Sequence, residues 1–186
     1  VNHDGVHDIF VAGAKDAQAF GKIPESYLLL NDGHGHYIQA SIPDELKHAG
    51  MLRSASFADM DGDGWPDLIV TGEWMPVKVF INEKGHLNDR SSDYVPANTE
   101  GFWNCIQTSD FDGDGDADFV VGNIGINSQM KPTNDKPVSL YFADYDNNGS
   151  VDPIVDYYIK DASYPYPTRD ELIEQVPSFR KRFTDY

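Results

Sequence analysis

One cysteine, Cys105, is all the thiol chemistry that 186 residues offer. A lone thiol excludes an intrachain disulfide framework, and nothing around it has the spacing of a zinc ligand set. Its neighbours Trp103, Asn104, Ile106 and Gln107 read as strand, so Cys105 is expected to be a small buried residue. Basic residues are also scarce: 14 Lys and Arg stand against 31 Asp and Glu, a net charge of −17. Such a field repels nucleic acid and anionic membrane surfaces and attracts cations. No apolar run is long enough to span a bilayer, so no membrane insertion is expected. The signatures G-x-S-x-G and H-E-x-x-H and the phosphate loop are missing, and no residue is assigned a catalytic role. No signal peptide is visible either. The chain opens inside a motif, Val1-Asn2-His3-Asp4, and the natural N-terminus is expected upstream of it.

What is present suffices for a core, since 40% of residues are hydrophobic and 12% aromatic. The acids are clustered rather than spread. DMDGDGWPDL (59–68) returns as DFDGDGDADF (110–119) and DYDNNGSVDP (144–153), with a truncated copy, NHDGVHDIF, at 2–10. The closing aspartates Asp8, Asp67, Asp118 and Asp152 are spaced 59, 51 and then 34 residues apart. The first three loops run into apolar triplets, Ile9-Phe10-Val11, Leu68-Ile69-Val70 and Phe119-Val120-Val121, which read as strands covered on both faces, although three residues alone leave a helix open. Hairpins follow the first two: Tyr27–Asn31 turning at Asp32–Gly35 into His36–Ile38, and Val77–Asn82 turning at Glu83–Gly85 into His86-Leu87. Strand, acidic loop, strand, connector, strand, turn, strand makes four antiparallel strands in about fifty to sixty residues, one propeller blade. The short last interval lacks the middle hairpin and passes from Gly122–Gly125 through a polar stretch to Val138–Phe142.

The expected fold is therefore all-β: β-propeller blades of four antiparallel strands forming a partial propeller or a fragment of one, with a short helical C-terminal segment. Repeats are assigned to 1–160 and the helical extension to 161–186. In the extension, Thr168-Arg169-Asp170-Glu171 has capping-box spacing. Leu172, Val176, Phe179 and Phe183 share one helical face, and Pro177 divides two short helices. Arg180-Lys181-Arg182 reads as a face that pairs with acids inside the protein rather than as a binding site.

Within the loop 59–67, aspartates occupy positions 1, 3, 5 and 9, and glycines positions 4 and 6. Side chains at 1, 3 and 5 converge, glycine at 6 permits the sharp turn, and position 7 offers a carbonyl. Calcium takes six to eight oxygens at roughly 2.3–2.6 Å, and this loop supplies them. Transition metals fit poorly without His or Cys in the set. An EF-hand needs a glutamate at position 12 and flanking helices; Val70, Val121 and Val155 stand there, and strands flank the loop.

DxDGDGxxD running into an apolar strand resembles the calcium loop of FG-GAP (VCBS-type) repeats, as in integrin α-subunit propellers. DLIVTGEWMPVKVFINEKG and the tail YPYPTRDELIEQVPSFRKRFTDY resemble a narrower group, secreted bacterial VCBS proteins related to cartilage acidic protein. The resemblance implies a β-propeller with calcium as its cofactor, held in three intact loops. The first would use Asp59, Asp61, Asp63, Asp67 and the Trp65 carbonyl. The second would use Asp110, Asp112, Asp114, Asp118 and the Asp116 carbonyl. The third would use Asp144, Asp146, Asn148, Asp152 and the Ser150 carbonyl. Asn2, Asp4 and Asp8 keep part of a fourth, whose first position precedes the chain.

Structural calcium in a secreted or cell-surface module for recognition or adhesion, with a protein or glycan ligand, is the reading these residues favour. The alternative is part of a calcium-dependent polysaccharide-active enzyme such as a lyase, for which Lys78 or Arg53 would be the nominated base. Trp65, Trp74, Tyr94, Trp103, Tyr145, Tyr164 and Tyr166 are candidate stacking platforms, with Trp65, Tyr164 and Tyr166 the expected exposed ones. An open array of blades leaves strand edges that favour self-association.

Overall fold

The computed structural model describes residues 1–182 and 184. The chain divides into two compact units, Val1–Ala14 with Ile23–Ile124, and Lys15–Lys22 with Gly125–Tyr186. The boundary after Ile124 falls inside the short interval that lacks a hairpin.

The first unit contains β1 (Ile9–Val11), β2 (Tyr27–Asn31), β3 (Tyr37–Gln39), α1 (Asp44–Lys47), β4 (Met51–Ala58) and β5 (Asp67–Met75). It continues with β6 (Lys78–Glu83), β7 (His86–Asp89), α2 (Ser91–Tyr94), β8 (Gly101–Ser109) and β9 (Asp118–Asn123). β4 to β7 form a complete antiparallel meander, the expected four-stranded blade. β1 to β3 repeat its last three strands. β8 and β9 repeat its first two, and β8 joins the far end of β5 through Glu73↔Phe102.

β5 sits between two cores, and the period of two along a strand sorts its side chains. Leu68 and Val70 enter a cluster with Leu28, Leu46, Leu52 and Phe80, against which Phe10 and Leu30 pack. Ile69 points the other way, into a cluster with Val77, Val79 and Ile81, flanked by Ile106, Phe119 and Val121. Leu68, Ile69 and Val70 are each 0% exposed. The other two triplets depart from the expectation. Ile9 and Val11 are each 42% exposed and Val120 is 53% exposed, because β1 and β9 pack on one face only.

Cys105 is exposed, which corrects the expectation of a buried thiol. A bulge between Trp103 and Cys105 shifts the register of β8, and Cys105 pairs with Gly122 on the open face.

The second unit holds β10 (Ser139–Ala143), β11 (Asp152–Ile159), β12 (Ala162–Pro165), α3 (Arg169–Gln175) and a 3-10 helix over Pro177–Lys181. β12 pairs with β11, so the sheet continues into residues 162–165 that were expected to belong to the helical extension. The capping box is formed: Thr168 accepts from the Glu171 N–H, and the Glu171 carboxylate accepts from the Thr168 N–H. Leu172, Ile173 and Val176 are buried, and Pro177 starts the 3-10 helix as expected. Phe183, assigned to the same helical face, lies outside the described residues. Arg180, Lys181 and Arg182 form no ion pair among the described residues, contrary to the expected salt-bridging face.

The Thr168 N–H and hydroxyl together hold the Glu171 carboxyl below its ordinary value of 4.5. A depressed carboxylate stabilises the fold above the unfolded value, and that contribution is lost as pH falls through the folded one. Amide exchange in α3 is expected to accelerate on acidification across this range relative to β11. Glu171→Gln should remove the pH dependence; an unchanged pH profile in that variant would contradict the assignment.

Candidate metal-binding loops

Each complete acidic loop closes a β-hairpin with one register: Ala58↔Asp67, Ser109↔Asp118 and Ala143↔Asp152. Positions 4 and 6 take left-handed backbone every time. Gly62 and Gly64 have φ of 73° and 88°, Gly113 and Gly115 81° and 102°, and Asn147 and Gly149 60° and 88°. The truncated loop does the same with His3 and Gly5, at 60° and 85°. Glycine lowers the cost of this conformation, and asparagine tolerates it better than most residues.

The left-handed positions turn successive backbone N–H groups inward onto the carboxylates. Asp59 accepts from Gly62 and Gly64 N–H at 2.9 Å each. Asp110 accepts from Gly113 and Gly115 at 2.7 and 3.1 Å. Asp144 accepts from Asn148 and Gly149 at 3.0 and 2.9 Å. At position 3, Asp61, Asp112 and Asp146 each accept from the N–H of position 5 at 3.2 Å. At position 5, Asp63, Asp114 and Asn148 accept from the N–H of Trp65, Asp116 and Ser150. An ionised carboxylate has about four acceptor sites, so these bonds leave capacity for a cation.

Three carboxylate sets have oxygens within 4.8 Å of one another: Asp59, Asp61 and Asp67; Asp110, Asp112 and Asp118; Asp144, Asp146 and Asp152. Ligands on opposite sides of a calcium ion stand about 4.6–5.2 Å apart, so each set fits around one ion. Positions 1, 3 and 9 thus converge in all three loops. Asp63 and Asp114 lie outside these close sets, and their carboxylates cap the N–H of position 7. Of the truncated loop, Asn2 and Asp4 repeat the position 3 and 5 bonds at 3.3 and 3.0 Å. Asp8 Oδ2 accepts from the Val1 nitrogen at 2.8 Å, the position 2 bond that Met60, Phe111 and Tyr145 make to Asp67, Asp118 and Asp152.

Position 9 fastens loop to sheet. Asp67 accepts from the Met60 N–H at 2.7 Å and, across the blade, from the Asn82 N–H at 2.7 Å. Asp8 likewise accepts from Asn31 N–H at 2.9 Å. The carboxamides of Asn82 and Asn31 donate back to the carbonyls of Pro66 and His7, each one residue before the aspartate. Asn31 and Asn82 are the site residues that sequence reasoning passed over. Their signal is faint but shared: each ends an apolar run immediately before a glycine-containing turn.

Asp67 is fully buried, and desolvation pushes its carboxyl up; the N–H groups of Asn82 and Met60 oppose this, and Asp61 and Asp59 add to it. Asp144 moves the other way, held down chiefly by the Gly149 N–H. Burial also raises the Tyr94 hydroxyl, with Asp61 and Asp67 contributing. A dication in the loop would relieve the repulsion among these acids.

Neighbouring loops touch. The His3 ring stacks on Trp65, with centroids 4.1 Å apart and planes 5° from parallel, while Nε2 lies 2.7 Å from the Gly64 carbonyl oxygen. Trp65 is therefore half-buried. Tyr164 and Tyr166 are exposed as expected, at 48% and 49%. Trp103 donates to the Thr99 carbonyl, and Trp74 meets Phe102 edge-on. The two nominated bases are engaged: Arg53 with Glu73, and Lys78 with Asp89.

An antiparallel four-stranded blade with an acidic loop between its first two strands, repeated in part by the other sheets, defines a β-propeller-like repeat fold. Residues 1–70 and 59–121 match the FG-GAP-like repeat family, and the chain belongs to it. No characterised protein and no solved structure gives a significant match to the chain. The third acidic loop and the C-terminal segment lie beyond the matched residues.

Proposed function

We propose that this chain is a calcium-binding, extracellular β-propeller module that recognises a protein or glycan, with calcium holding its loops rather than signalling. The observation that carries the reading is the threefold convergence of carboxylates at positions 1, 3 and 9 on identical backbone turns. Asp59, Asp61 and Asp67, with their counterparts in the other two loops, would hold the ions. Asp63, Asp114 and Asn148, and the carbonyls of Trp65, Asp116 and Ser150, would complete each shell. Extracellular modules bind calcium at about 10⁻⁴ to 10⁻³ M, which suits constant occupancy. The FG-GAP family context supports an extracellular setting. The motif GEWMPVKVFINEKG and the tyrosine-rich tail support placement among secreted bacterial VCBS proteins.

Thermal unfolding in EDTA, calcium and magnesium tests the metal. A ligand at a hundredfold excess over Kd adds about 2.7 kcal/mol per site. For a chain of this length that is a rise of roughly 5–10 °C per site. Calcium, and not magnesium at equal concentration, is expected to produce it. Trp65 emission should change in parallel. No calcium response would overturn the metal reading and leave the family membership standing.

A further inference from the structure

Position 5 sets the third acidic loop apart. Asp63 and Asp114 stand there in the first two complete loops and Asp4 in the truncated one, whereas the third carries Asn148. The next position is glycine every time, with φ of 88° at Gly64, 102° at Gly115, 88° at Gly149 and 85° at Gly5. A Cβ on Gly149 would meet nothing within 4 Å, so the left-handed backbone alone calls for glycine there. The turn therefore holds in place the one Asn-Gly pair of the sequence. In such a pair the glycine nitrogen, unshielded by a side chain, is the backbone amide best able to attack the asparagine carboxamide. The loop also arranges groups for that attack. Asn148 Oδ1 accepts from the Ser150 N–H at 2.7 Å, which polarises Cγ and sets a donor where negative charge would develop. The Gly149 N–H, whose proton must leave, donates to Asp144 Oδ2 at 2.9 Å.

From this we infer that Asn148 is a self-modification site, converted to aspartate through a cyclic imide formed with Gly149. The Gly149 nitrogen bonds to Asn148 Cγ as its proton passes to Asp144 Oδ2. That proton goes on to the Nδ2 group, and the Cγ–Nδ2 bond breaks to release ammonia. Water, the only co-reactant, then adds to one carbonyl of the ring, and the bond from that carbon to the Gly149 nitrogen opens. Addition at Cγ gives aspartate. Addition at the main-chain carbon gives isoaspartate, with the chain rerouted through the side chain. Because the Ser150 N–H draws on Oδ1, Cγ is the more electrophilic of the two carbons, and aspartate is the favoured product. The third loop then carries aspartate at positions 1, 3, 5 and 9, the set that the first two already hold. The conversion does not depend on the metal reading, and the test is run in EDTA.

The full chain is incubated in neutral buffer beside a synthetic peptide of residues 139–155, and both are sampled over time. Digestion at mildly acidic pH and fragmentation mass spectrometry locate each replacement of NH2 by OH and separate aspartate from isoaspartate. The digest of an Asn148→Asp chain marks the aspartate product. Expected is conversion at Asn148 about tenfold faster than at Asn127 or Asn147, each of which precedes a residue with a side chain. Aspartate should exceed isoaspartate in the chain, and the order should reverse in the peptide, where nothing holds Oδ1. Asn148→Gln, whose longer side chain cannot close the same ring, should abolish conversion at this position. An unchanged Asn148 after the peptide has fully converted overturns the inference, as does faster conversion at Asn127 or Asn147. An isoaspartate excess in the chain equal to that in the peptide overturns it too, since the loop would then direct nothing.

Discussion

Asp67→Ala is expected to destabilise the first unit by about 2–4 kcal/mol in EDTA, whereas Asp118→Ala should cost about 1 kcal/mol or less. The two aspartates are equivalent in the repeat and differ in surroundings. Truncating Asp67 strands the N–H groups of Met60 and Asn82, both satisfied now by its buried carboxylate. Leaving a buried donor unpaired costs about 1–3 kcal/mol each, less what is regained by no longer burying a charge. Asp118 bonds one N–H on a half-exposed strand end, where water can take over. All three tryptophans, Trp65, Trp74 and Trp103, lie in the first unit, so urea denaturation followed by tryptophan emission reports this unit directly. Equal losses in the two variants would mean that the Asp67 bonds hold nothing that solvent cannot replace.

Gly72→Ala is expected to cost more than about 3 kcal/mol, and Gly122→Ala about 1 kcal/mol. Both glycines follow the apolar triplet of their blade. A Cβ on Gly72 would stand 2.1 Å from the Met51 carbonyl oxygen and 2.8 Å from the Leu52 Cα. Those are backbone atoms of β4, so the strands would have to part where Leu52 pairs with Gly72. A Cβ on Gly122 would meet the Cys105 Sγ at 2.7 Å, a side-chain atom on an open face that can rotate away. The comparison is read from denaturation midpoints at constant m-value. A mild Gly72 variant would show that the β4–β5 pair yields more easily than its register implies.

Much of this was legible from residue order, because turn chemistry and strand periodicity act locally. Tyr27–Asn31 is β2 to the residue, and the three acidic loops close hairpins where their spacing placed them. The capping box at Thr168 is equally local. Burial was less legible, since it depends on what stands opposite. Ile9-Phe10-Val11, Leu68-Ile69-Val70 and Phe119-Val120-Val121 look alike as text, yet only the middle one is sealed on both faces. Cys105 was misplaced for the same reason: nothing in its own strand announces the bulge beside it or the open face it points to. Asn31 and Asn82 read as hairpin residues, because the aspartate each bonds lies 23 and 15 positions away along the chain. α1 and α2 span four residues each, too short for a helical period to register.

The double duty of β5 sets an order for melting. A strand whose alternate side chains belong to separate cores is tied to both neighbours, as the inner member of a stacked array is. Within the first unit, the strands on either side of this blade share only one of the two cores each. Heat or denaturant should therefore erode the first unit from its two outer sheets inward, and amides of Leu68, Ile69 and Val70 should be the last there to exchange. The central blade acts as the keel of the unit, and the loop 59–67 that it carries would be the last to lose its shape.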